Sequence, residues 1–250
     1  MAFKTNLLES TGKFDAMMTN GFGIVTVMNA IVCESLTAAQ YATLTPYEIA
    51  SASYMTNGEL SAEEVTIKEG IKTKPICRLD TLKVANVTQE GPNKTVTGGQ
   101  FSNPLIKFGK SARLEMQDAL GNGKAIAALC GGVVESSEVA GTSTTSSMVG
   151  LHFGEDFVGA KMIIGDSFFI DRKTGQQVPV KIVFYQFLPD SIFNLTQDAE
   201  GDATVFDMNG DLLTTVVQVG DEMGNPITHG LFYSIVDPEI NVPEYTKQNN

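Results

Sequence analysis

Alternating apolar and polar positions dominate the middle of this chain. Ile106, Phe108, Ala112, Leu114 and Met116 fall on one side of a period of two. Lys107, Gly109, Ser111, Arg113, Glu115 and Gln117 fall on the other, with one break at Lys110. Successive side chains of a strand point to opposite faces, so this run predicts a long strand with one buried face and one wet face, as in an antiparallel sheet. Val65 and Ile67 alternate in the same way with Thr66 and Lys68, and 77–87 is rich in β-forming residues. Two hairpins are predicted beyond residue 160. One joins 160–170 to 178–188 through Asp171-Arg172-Lys173-Thr174-Gly175; the other joins 203–208 to 212–219 through Asn209-Gly210-Asp211. The Asn-Gly pair supplies the positive φ angles that a tight hairpin requires. A last strand is expected over 230–236, ahead of a polar tail at 237–250.

The pattern changes at three places. Residues 124–130 (KAIAALC) follow Gly121-Asn122-Gly123 and stop at Gly131-Gly132, which predicts one short helix with a glycine C-cap. Residues 135–148 (ESSEVAGTSTTSSM) are Ser/Thr-rich with few large apolar groups and predict a long exposed, flexible loop rather than a strand. Residues 1–60 read as an arm or elaboration on a β domain spanning 61–236. Within them 24–27 has strand character, and Pro46 breaks any helix in 36–55 or marks its start.

Composition narrows the function classes. The 250 residues are 42% apolar and 18% charged, with 29 acids against 17 bases for a net charge of −12. A mean hydropathy of +0.02 and a pI near 4.6 place the chain among folded, acidic proteins. Gripping nucleic acid phosphates needs a positive surface, which this balance argues against. The charge is uneven: residues 1–172 carry 14 bases and 18 acids, whereas 173–250 carry 3 bases and 11 acids. No Lys or Arg stands between Lys181 and Lys247. One reading is a set of solvated turns, since Asp and Gly favour turns. The other is a surface that repels DNA or meets a basic partner. No apolar run reaches the about 18 residues of a membrane helix, and the start has no basic-then-apolar signal pattern. Cys33, Cys77 and Cys130 are widely spaced, odd in number and without CxxC, and read as reduced core residues.

Catalytic patterns are not met. Gly121-Asn122-Gly123-Lys124 resembles the end of a phosphate-binding loop, but Ala125 stands where Ser or Thr would hold Mg²⁺ and Asp118 where the first glycine belongs. Asp207-Met208-Asn209-Gly210-Asp211 has its glycine too early for a Ca²⁺ loop and lacks the closing Glu. His152 and His229 have no metal-ligand spacing, and no Gly-x-Ser-x-Gly elbow occurs. Glu63 and Glu64 are adjacent, so in a strand they point to opposite faces. No catalytic residue, metal or cofactor is expected.

The stretch 178–213 resembles the C-terminal half of phage tail tube proteins. The residues that carry the resemblance are Val183-Phe184-Tyr185 with Pro189, Phe193-Asn194-Leu195-Thr196, Glu200-Gly201-Asp202-Ala203 and Thr204-Val205-Phe206-Asp207. The run from Asn103-Pro104-Leu105 through Met116 into the Ala-rich helix is similar to the long strand and single helix of that family, and the likeness covers about 100–236. It implies a mainly β fold, an antiparallel sandwich or rolled sheet with one flanking helix, shared with type VI secretion tubes. It further implies a virion structural protein, assembled in the host cytoplasm into hexameric rings that stack into a hollow conduit for DNA. Its partners would be further copies of itself, a tape measure protein and, only if the tail is contractile, a sheath, with no membrane insertion and no specific DNA binding; the sequence leaves contractile and non-contractile tails both open. On this view Asp198, Glu200, Asp202, Asp207 and Asp211 form an acidic lumen or partner surface. Ser136, Ser137, Thr142, Ser143, Thr144 and Thr145 form an inter-subunit loop. The alternatives are a capsid-decorating or adhesin-like β module and, in a third class, an enzyme with a dispersed acidic site.

Overall fold

A computed structural model describes residues 22–24, 27, 29–80, 82–91, 93–95, 105–107, 109–118, 123–138, 146–155, 157–171, 175, 177–191, 206–220 and 226–236. The chain opens with β1 (Phe22–Ile24) and β2 (Asn29–Glu34), then two short helices, α1 (Ala38–Tyr41) and α2 (Pro46–Ser51). Both helices start on capping boxes. Thr37 and Gln40 exchange bonds at the first, and Thr45 and Glu48 at the second, where Pro46 takes the first helical position. Small hairpins follow: β3 (Met55–Thr56) with β4 (Glu59–Leu60), and β5 (Val65–Lys68) with β6 (Ile71–Thr73). Next come β7 (Pro75–Leu79), β8 (Leu82–Glu90), β9 (Asn93–Thr95), β10 (Leu105–Lys107) and β11 (Ser111–Asp118). Helix α3 (Gly123–Cys130) is closed by Gly131 at φ +82°, the left-handed conformation that a C-cap needs. It leads into β12 (Gly132–Glu138), β13 (Ser146–Phe153), β14 (Lys161–Asp171) and β15 (Gln177–Pro189). The last strands are β16 (Phe206–Leu212), β17 (Thr215–Gly220), β18 (Pro226–Leu231) and β19 (Tyr233–Val236).

The main sheet is antiparallel and runs β7-β2-β14-β15-β16-β11-β8, with β1 added to β14 and β19 added to β15. Its two ends are consecutive in sequence: β7 stops at Leu79 and β8 starts at Leu82. Three residues span at most about 11 Å, so a sheet of seven strands at about 4.8 Å spacing must roll until its ends approach. Inside the roll lies one core. Val32, Leu79, Leu114, Met116, Ile163, Phe184, Phe187 and Met208 close around Ala125, Ile126, Leu129 and Cys130 of α3. A second core covers the opposite face of the central strands. There Ile31, Cys33, Met162, Ile164, Val183 and Tyr185 pack on Tyr41, Leu44, Ile49 and Tyr54, with Val217 from β17. Because β14 and β15 are covered on both faces, β15 keeps Ile182 through Tyr185 buried without a gap instead of alternating.

The fold is thus mainly β, with the helix at 123–130 where the sequence places it and 160–188 forming the expected hairpin. Several expectations are corrected. Residues 29–60 are no arm: β2 is an interior strand between β7 and β14, and the capped helices roof the second core. The run at 105–117 is two strands in separate ladders, and the register shifts by one between β9–β10 and β8–β11 near Lys110. Asn209-Gly210-Asp211 is no turn. All three residues lie inside β16, which pairs with β11 from Phe206 to Leu212, and β17 pairs with β18 instead. The expected strand at 230–236 is shared between β18 and β19, which part at Phe232. Both described ends of 135–148 are strands of one ladder, with Ser136 paired to Met148 and Ser137 to Ser147, and 139–145 lie outside the described residues. No helix among the described residues is long and apolar enough to cross a membrane.

The second core also fixes an alkaline limit. Burial pushes the Tyr41 hydroxyl up to about 12 and raises Tyr54 and Tyr185 well above the ordinary value of 10.0. The thiols of Cys33 and Cys130 rise from 9.0 for the same reason, Cys130 to about 11. All three cysteines are buried and none is in a disulfide. These groups stay protonated in the fold but ionise in the unfolded chain, so their stabilisation is complete below the unfolded value and lost as pH rises towards the folded one. Stability should therefore fall from pH 9.0 upward, by about 1.4 kcal/mol per pH unit for each group titrating only when unfolded. Thermal melts between about pH 8 and 11 test this; a midpoint that does not move would contradict the burial of these groups.

Candidate functional site

The wet face of β8, β11 and β16 is an ordered polar array. Period two sends Ala112, Leu114 and Met116 into the roll and leaves Arg113, Glu115 and Gln117 outside. On β16, Met208 and Leu212 turn inward while Asp207 and Asp211 are exposed. Cross-strand register then sets Arg113 opposite Asp211, Glu115 opposite Asn209 and Gln117 opposite Asp207. On the other side of β11, Arg113 faces Thr88 and Glu115 faces Asn86, with Glu90 at the end of the same exposed row.

Among the described side chains of β8, β11 and β16, Arg113 is the one base, and it is held by acids. It forms a two-pronged ion pair with Asp190, which stands at the end of β15, and its Nη1 donates to Asp211 Oδ1 at 3.3 Å. Its Nε lies 3.9 Å from Glu115 Oε1. The hydrogen bonds from the guanidinium to Asp190 raise its pKa further, so it is charged at every relevant pH. Gln117 Nε2 donates to Asp207 Oδ1 at 3.0 Å. Glu115, Gln117, Asp207 and Asn209 border a shallow depression of about 250 Å³. Among the described side chains, Glu90, Glu115, Asp190, Asp207 and Asp211 stand against Arg113, a net −4. Arg113, already bound by Asp190 and Asp211, is committed to acids and would compete poorly for a phosphate.

Of the residues singled out from sequence, Asp207 and Asp211 come together on this face, joined by Glu115, Asp190 and Glu90. Asp198, Glu200 and Asp202 lie outside the described residues, as do Thr142, Ser143, Thr144 and Thr145. Ser136 and Ser137 sit in β12, distant in the topology from the acidic face. Sequence reasoning missed Arg113 and Asp190. The parity of Arg113 with Glu115 is visible, but its partners are 77 and 98 residues away and only the strand order brings them close.

Nothing else among the described residues assembles a reaction centre. His152 Nε2 and Glu135 Oε2 are 2.9 Å apart across β12 and β13, and both side chains are more than half exposed. Among the described residues no group of three His, Cys, Asp or Glu is placed to hold a metal ion, and every buried side-chain polar atom has a partner. In comparisons with known proteins, no family model matches the chain and no curated protein matches it.

Proposed function

We propose that this chain is a structural subunit of a phage tail tube, in which copies join into rings and rings stack into a hollow conduit for DNA. The observation that carries this reading is the acidic face of β8, β11 and β16. It is broad and wet, and its single arginine is already bound by two aspartates. Such a surface suits a wall along which DNA moves, because every unpaired Lys or Arg there would exchange counterions with a phosphate and hold it. Repulsion acts within about 8 Å at physiological salt, so the acids work only where the duplex comes close. The end strands β7 and β8 add support. Each is hydrogen-bonded to one strand only among the described residues, and such edges extend a sheet between subunits.

Negative-stain microscopy of the concentrated protein tests the reading, with rings or tubes around a central hole expected. A protein that stays monomeric, and forms no tube when seeded with virion parts, overturns it. Glu115→Lys combined with Asp207→Lys should leave ring formation intact but make the assemblies retain linear DNA in a salt-dependent way. Assemblies of that variant that retain no more DNA than the parent would remove this face from the lumen.

A further inference from the structure

A second surface has the opposite character. At the end of the roll where β14 begins, a cleft of about 570 Å³ opens between β7 and α3. Pro75, Ile76, Ala127 and Ala128 give it apolar walls, and Lys74, Lys124 and Lys161 line it with Glu34 as the one acid. Three of the 17 bases of an acidic chain thus border one cleft. Lys74 and Lys161 form no ion pair among the described residues. The volume falls in the range of roughly 300–1,000 Å³ that accepts a short segment or small ligand.

The segment that follows β19 has the complementary pattern. In 237–242 (DPEINV), Asp237 and Glu239 alternate with Pro238, Ile240 and Val242, and Glu244 follows. An extended chain of this sequence carries acids along one edge and apolar groups along the other. The direction in which β19 leaves the roll decides whose cleft it meets. Tyr233 pairs with Phe184 and Val236 with Lys181, so β19 runs towards the Gln177 end of β15. Lys161 pairs with Phe187 at the opposite end. Val236 lies level with Asp166, five residues from Lys161 along β14 or about 17 Å, and is heading away from the cleft. The 14 residues 237–250 reach up to about 46 Å.

We propose that residues 237–244 of one copy lie in the Lys74–Lys124–Lys161 cleft of the next copy. Pro238, Ile240 and Val242 meet the apolar walls, and Asp237 and Glu239 meet the lysines. The cleft stands at one end of the roll and the segment leaves towards the other, so the contact is head-to-tail and repeats from copy to copy. This inference rests on the self-assembly proposed above and names a contact that drives it.

The test uses the full-length chain. With Ala128→Cys in the cleft and Ile240→Cys in the segment, mild oxidation should give covalent dimers and higher multimers on non-reducing gels. Each variant with only one of the two introduced cysteines should give far less, since Cys33, Cys77 and Cys130 are buried. A link formed within one chain, seen as unchanged mass with altered mobility, overturns the proposal. Lys74→Glu with Lys161→Glu, and separately Asp237→Lys with Glu239→Lys, should each raise the concentration for half-association at least about tenfold, equivalent to about 1.4 kcal/mol. Combining the two sets should restore association; all variants assembling like the parent would overturn the proposal. Rings without the inter-chain link would remove the cleft contact and leave the tube reading standing. Inter-chain links in a protein that never forms rings would do the reverse.

Discussion

Gly210→Ala should be among the most damaging single-methyl changes in this protein, lowering stability by about 3 kcal/mol. For a chain of this length that corresponds to roughly 6–12 °C in melting temperature. Gly210 sits in β16 opposite Pro189 of β15, where the two strands end their shared ladder. A β-carbon at 210 would lie 2.7 Å from Pro189 Cα and 2.8 Å from Phe187 Cε2, and would collide with the carbonyl oxygen of Leu188. Two of these three atoms are backbone, so no rotamer change relieves the contact, and β15 or β16 must move. The glycine is needed for close approach, since its φ is not positive. Gly58, whose φ is +84° and whose β-carbon would meet nothing, provides the contrast. Thermal or urea unfolding of Gly210→Ala checks the figure. Rescue by Phe187→Leu would place the conflict in the side chain and refute the backbone argument.

That glycine also shows where sequence reading stops. Asn209-Gly210 is a strong local hairpin signal, and local chemistry alone favours a turn. The ladder from Phe206 to Leu212 against β11 overrides it, because Met208 and Leu212 gain burial only if β16 stays extended. The same limit applies to the Ser/Thr-rich segment. Low apolar content suggests exposure, and Val133 and Glu135 are exposed, but exposure does not exclude pairing. What was legible was each element whose period matched its surroundings. Helix α3 has a capping glycine and a compact Ala/Leu run, β11 alternates cleanly, and β14–β15 is a hairpin between neighbours in sequence. What was not legible was strand order. Nothing local tells that β2 inserts between β7 and β14, or that β15 divides one edge between β16 and β19. The acidic face divides in the same way. Asp207 and Asp211 share a face by parity alone, yet their union with Arg113 and Asp190 is a property of the rolled sheet.

Tyr41→Ala should cost about 3–5 kcal/mol and lower the melting point of the whole protein in one transition. Tyr41 belongs to the first 60 residues, which read from sequence as an elaboration, and here it is fully buried at the end of α1. Its ring meets Tyr185 edge-on, with centroids 5.9 Å apart at 80°. Its hydroxyl donates to the backbone carbonyl of Tyr185, in the middle of β15. Ser35 and the Leu36 amide also approach that oxygen, so one side chain ties the α1 turn to the central strand. Tyr185 in turn reaches Ser234 of β19 through its own hydroxyl. Truncation at 41 thus opens a cavity under both helices and leaves a buried carbonyl without its donor, and the two costs act together. Tyr41→Phe separates them: it keeps the ring and should cost only about 1–3 kcal/mol for the lost hydrogen bond. If residues 29–60 were a separable arm, Tyr41→Ala would produce an early, partial transition and leave the main melt in place. A single shifted transition would establish that β2, α1 and α2 fold with the rolled sheet as one cooperative unit.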